Sequence, residues 1–148
     1  MTVVEQSISV AELEEMANSK AMNIQLKHHV GLTPEYWFKK SLFFQLANVG
    51  ADIDRTINWR DKNAEYSKAA FERVLELLSL TILDPKHKRS TRKELVRTRE
   101  YLIDHFCFDN TYNTTDEAWH DYFFQFSYAA ALERERRHIN NAANKKQS

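Results

Sequence analysis

Pro34 and Pro85 are the only prolines in the chain, and the stretch between them repeats its apolar side chains at spacings of three and four. Leu42, Leu46, Val49, Ile53 and Ile57 form one such stripe. Phe71, Val74, Leu75, Leu78 and Ile82 form a second, with Glu65, Lys68, Glu72, Glu76 and Ser79 on its wet side. A period near 3.6 is that of an amphipathic helix and is incompatible with the alternation a half-buried strand requires. Thr33-Pro34-Glu35 supplies an N-cap, a proline at the first helical position and an acid at the positive end of the dipole, which predicts a helix from Thr33 to about Arg60. The polar run Arg60-Asp61-Lys62-Asn63 connects it to a second helix, residues 64 to 83, which Asp84-Pro85 ends because proline disfavours the α region in the residue before it. Gly50 beside the first stripe costs about 1 kcal/mol against alanine, so it implies the close approach of another helix.

Beyond Pro85, Thr91 and Glu94 have the spacing of a capping box and predict a third helix from about Thr91 to Phe106. The turn formers between Asp109 and Asn113 end it, and Thr114-Thr115-Asp116-Glu117 opens a fourth helix that runs to about Arg137. Only two glycines occur in 148 residues, so the chain reads as all-α. Residues 1–32 read as an N-terminal arm or short helix, 33–137 as a four-helix up-and-down bundle, and 138–148, charged and without a core stripe, as a disordered tail.

Two side-chain placements stand out. Leu95, Val96, Leu102, Ile103 and Phe106 gather on one face of the third helix, and Arg99 falls among them. A guanidinium inside a core requires acceptors. Asp52 or Asp54 and the loop from Asp109 to Tyr112 are the expected partners, which makes Arg99 the centre of a buried polar hub. The fourth helix carries a core stripe, Trp119, Tyr122, Phe123, Phe126 and Ala130, and a second apolar stripe, Phe124, Tyr128 and Ala131, on nearly the opposite side. Either this helix is central in the bundle, or the second stripe is a subunit interface. A homodimer is the expectation.

Twenty-one basic and twenty-one acidic residues cancel, which removes net charge as a reason for wholesale binding to nucleic acid or an anionic membrane. No apolar run approaches the length of a membrane span, and the N-terminus has acids where a signal peptide needs a basic start. The single Cys107 excludes an internal disulfide framework; a cytoplasmic location is expected. There is no glycine-rich phosphate loop, no paired-cysteine metal motif and no nucleophile elbow. Glu117-x-x-His120 has the spacing of a di-iron ligand pair, but such a centre needs two copies and two further glutamates, so neither metal nor cofactor is expected. His28 and His29 read as solvent-exposed loop residues. Lys86, Lys88, Arg89, Arg92 and Lys93, with His87 among them, are either a phosphate-holding cluster or a solvated loop and helix start.

Arg99 and His105, an arginine followed six positions later by a histidine in an all-α chain of this size, resemble the R-x(4–6)-H motif of the HEPN superfamily. Those proteins are helical bundles that often dimerise, and many cut RNA without metal. The resemblance implies that Arg99 holds a phosphate and His105 acts in acid–base catalysis on RNA. Glu100 departs from the neutral polar residue usual after the arginine. On an unbroken helix the two side chains point about 120° apart and about 9 Å along the axis, so a break near Ile103 or Asp104 is needed for them to share one phosphate. A second resemblance, to a group of small prokaryotic helical proteins, covers about residues 36 to 132. It is carried by Asn48-Val49-Gly50, Leu80 to Pro85, Arg99-Glu100, Asp109 to Tyr112 and Tyr122 to Phe126; it supports the fold and brings no activity. Two functions follow: a non-catalytic helical interaction protein, homodimeric and open to a protein partner, or a HEPN-like protein that binds or cleaves RNA.

Overall fold

Residues 27–29 and 31–147 are described in the computed structural model. Among them the chain is helical, without a strand: α1 (Pro34–Phe38), α2 (Leu42–Trp59), α3 (Ala64–Leu83), α4 (Arg89–Cys107) and α5 (Asp116–Gln147). No helix is long and apolar enough to cross a membrane. The expected N-terminal arm lies almost wholly outside the described residues.

The single helix expected from Thr33 to Arg60 is two helices. Thr33 caps the first as anticipated, its hydroxyl accepting from the Tyr36 amide. Three residues after α1, Ser41 turns extended and its hydroxyl accepts the Phe44 amide, so a second N-cap restarts the chain as α2. Serine offers the backbone this local alternative to helix continuation. The break lets Trp37 turn into the core at 3% exposure, where its indole N–H donates to the Thr81 hydroxyl at 3.0 Å.

Helix α3 is the central element. It starts on Asn63, whose side chain accepts the Tyr66 amide, and buries Ala70, Leu77, Leu80 and Thr81 as well as the expected Phe71, Val74, Leu78 and Ile82. It packs against α1, α2 and α4, while α2 also packs against α5. Gly50 behaves as its position implied: a Cβ built there would lie 2.7 Å from the Cβ of Phe123, so α2 and α5 touch closer than a methyl group permits.

Helix α4 begins at Arg89, with Lys88 at the N-cap making no side-chain cap bond, and the Thr91 box lies inside it. The earlier start places Arg92 where it can serve the carbonyl end of α3: Nε donates to Ile82 O at 3.0 Å and an Nη to Asp84 O at 2.7 Å, beside the His87 amide at 3.3 Å. The far end of α4 is closed by Asp104, whose carboxylate accepts the amides of Thr111 and Tyr112. Asn110 and Asn113 take positive φ in this loop, a conformation asparagine tolerates. Thr115 opens α5 by accepting the Ala118 amide. The helix then continues through the segment expected to be a disordered tail, as far as Gln147.

Candidate functional site

The arginine that enters the interior is Arg92, not Arg99. Arg92 is 8% exposed, and its guanidinium is spent on α3's carbonyl end. Arg99 is half-buried, and no ion pair or hydrogen bond to it is formed among the described residues; burial lowers its pKa, with Glu100 acting in the opposite sense. Its expected partners are engaged elsewhere. Asp52 is buried and meets Arg55 at 2.8 Å and Arg73 at 3.3 Å. Asp54 pairs with His120 at the surface, Asp109 is exposed, and Tyr112 is tied to Asp104 by its amide while its ring stacks on Tyr101.

The interior polar hub forms instead where α1, α2, α3 and the α3–α4 loop meet. Gln45, wholly buried on the core face of α2, donates to Trp37 O at 3.0 Å and to Asp84 Oδ2 at 2.8 Å. Its carbonyl oxygen accepts from His87 Nε2 at 2.7 Å, which sets the histidine tautomer. Lys86 reaches Asp84 and donates to Phe38 O. Burial holds His87 below its ordinary pKa, with Lys86 and Arg92 acting the same way and Asp84 opposing them. A glutamine on a stripe with Leu42, Leu46 and Val49 was the visible signal of this hub.

Helix α4 is unbroken through Arg99 and His105. The imidazole is 8% exposed, with Nε2 2.8 Å from Asp116 Oδ1 and Nδ1 2.9 Å from the Thr114 hydroxyl. Since the carboxylate only accepts, Nε2 carries a proton toward Asp116, and Nδ1 is engaged by the Thr114 hydroxyl, so both ring nitrogens are committed. Thr114 also accepts from the Trp119 indole, and Arg60 donates to Asp116 at 2.7 Å. Burial alone would raise the Asp116 pKa, but the hydrogen bonds from Arg60 and His105 carry it below the ordinary value. This network joins α2, α4 and α5 and has the character of a structural clasp.

Of the basic run, Lys86, Lys88, Arg89 and Lys93 are exposed and Arg92 is not. The run opens α4, so Arg89 lies about 24 Å along the helix from His105. Lys39, Lys40, Arg134, Arg136 and Arg137 line a separate groove between the α1–α2 link and α5. His28 and His29 are not loose loop residues; they are partly buried against Glu72 and Glu76 of α3. Glu117 is exposed, His120 is spent on Asp54 at 2.8 Å, and no cluster of three metal-ligating side chains occurs among the described residues.

The second stripe of α5 faces solvent. Phe124 is 58% and Tyr128 62% exposed, and Ala131, Leu132 and Ile139 continue the face. Only Trp119, Phe123 and Ala130 of this helix are buried, which excludes the central position that α3 occupies. Comparison with protein-family models, with curated proteins and with solved structures found no match.

Proposed function

We propose that the chain is a non-catalytic interaction protein, a bundle of four long helices that docks through the exposed face of α5, with a second copy of itself as the partner. The observation that carries this reading is the pair Phe124 and Tyr128, two large aromatic side chains more than half exposed on one helical face. Aromatic anchors of this kind are enriched in interface cores, and exposing them to water forgoes the stabilisation their burial would bring. The RNA-cleaving alternative draws no support from the geometry, since His105 has neither a ring nitrogen open to substrate nor a basic path leading to it. The lone Cys107, free and exposed, fits a reducing compartment such as the cytoplasm.

Sedimentation of the purified chain tests the reading. Wild type is expected to dimerise at micromolar concentration, and Phe124→Ser/Tyr128→Ser to remain monomeric with an unchanged far-UV spectrum, because neither side chain supports the core. A wild type that stays monomeric, or a dimer indifferent to the double substitution, overturns it. Metal-independent RNA cleavage lost in His105→Ala would restore the HEPN-like reading.

A further inference from the structure

Helix α5 continues beyond the body it packs on. Glu133 is its last half-buried residue, Arg134, Arg136 and Arg137 still flank the α1–α2 link, and residues 138–147 run on beyond it, exposed on every side, a projection of about 15 Å. A helix of that length is marginal in water by itself, and one exposed all round is held by side-chain pairs or by a partner. The uncovered face of the packed half and the uncovered projection therefore present one problem twice on the same helix.

Resting on the reading of α5 as a self-docking face, we propose that two copies pair their α5 helices antiparallel about a two-fold axis between Ala131 and Leu132, so that the projection of each covers the exposed face of the other. The axis follows from the spacing of the outward face, on which Phe124 and Ile139, Ala131 and Leu132, and Tyr128 and Glu135 lie at equal distances either side of it. The outward face comprises Glu117, Asp121, Phe124, Tyr128, Ala131, Leu132, Glu135, Ile139, Ala142 and Lys146 at spacings of one, three and four, and all of them are exposed. Turning the helix end for end about that axis maps this set onto itself. Phe124 then meets Ile139, Ala131 meets Leu132, the Tyr128 hydroxyl faces the Glu135 carboxylate, and Glu117 faces Lys146. An isologous contact requires such self-complementarity. The charge distribution agrees: the first turns of α5 are acidic, with Asp116, Glu117 and Asp121, and its last turn is basic, with Lys145 and Lys146. A parallel pairing would set like charges side by side at both ends, whereas an antiparallel one opposes them. Ala131 at the crossing lets the two backbones approach.

Disulfide trapping in a Cys107→Ser background reads the register. With the axis beside residue 131, Ala131→Cys should cross-link to its own copy under mild oxidation. Ile139→Cys alone should not, because its two copies lie about 22 Å apart along the axis, well beyond disulfide reach. Asp121→Cys combined with Ala142→Cys, which leaves the aromatic anchors in place, should trap the dimer efficiently, while Asp121→Cys alone should not. Lys146→Glu should weaken dimerisation several-fold and adding Glu117→Lys should restore it, as exposed pairs do. A dimer in which Ile139→Cys cross-links and Ala131→Cys does not, or in which the charge exchange fails to rescue, overturns this arrangement while leaving self-docking intact. A wild type that is monomeric at every concentration overturns both.

Discussion

Replacing Gly50 with alanine changes the sign of a familiar effect. In an exposed helix interior the substitution stabilises by about 1 kcal/mol, because alanine loses less backbone entropy on folding and favours the helix. At this position the new methyl carbon would lie 2.7 Å from the Cβ of Phe123, roughly 1 Å inside ordinary carbon contact. That atom is anchored to the α5 backbone, so no rotamer change moves it away. The helices must separate, and overpacking of this kind costs about 1 to 3 kcal/mol. Offset against the propensity gain, the net expectation is a loss of about 1 kcal/mol and at most about 2, or a fall of a few degrees in melting temperature for a chain of this size. Thermal and urea unfolding followed by circular dichroism measure it, with Ala51→Gly on the exposed side of the same helix as a control that should lose about 1 kcal/mol. A Gly50→Ala protein more stable than wild type would refute the close α2–α5 approach.

Gln45→Ala should destabilise by about 3 kcal/mol or more, since it leaves a cavity and strips partners from Asp84, His87 and the Trp37 carbonyl at once; denaturant titration with an unchanged m-value checks it. Arg92→Met should cost about 2 kcal/mol or more by leaving Ile82 O unmet and Asp84 O with the His87 amide alone, and Arg99→Met less than about 1 kcal/mol, so an equal or reversed ranking in thermal melts would contradict the assignment of the buried arginine. His87 has its pKa depressed, so its contribution to stability is present above the unfolded-state value of about 6.5 and is lost as pH falls through the folded value; the acid-side decline in melting temperature should be shallower in His87→Gln. His120 is raised by its hydrogen bond to Asp54, so its contribution is present below about 6.5 and fades as pH rises through the folded value; NMR titration should show its pKa above the ordinary value, returning toward it in Asp54→Asn.

What could be read from the chain was whatever depends on neighbours within a few residues. The stripe from Leu42 to Ile57, the cap at Thr33, the stop at Asp84-Pro85 and the meaning of Gly50 all follow from helical period and local hydrogen bonding, and the structure bears them out, while the capping box spaced from Thr114 to Glu117 gives way to a cap one residue later, at Thr115. The break at Ser41 escaped the periodic reading. A serine cap competes on nearly equal terms with helix continuation, and burial of Trp37 beneath α3 tips that balance from outside the segment.

The sequence by itself determined the helical class, the amphipathic faces and the presence of a second apolar stripe near the C-terminal end. Only the tertiary structure decided which polar groups lie inside. An arginine at position 92 or 99 occupies nearly the same helical phase, so the stripe could not say that α4's first turn meets the carbonyl end of α3 while Arg99 stays half in water. Nor could it say that His105 would be closed between Thr114 and Asp116. Helical period fixes direction around one axis. The partner a side chain meets depends on where the other axes lie, and that is settled by packing across the whole fold.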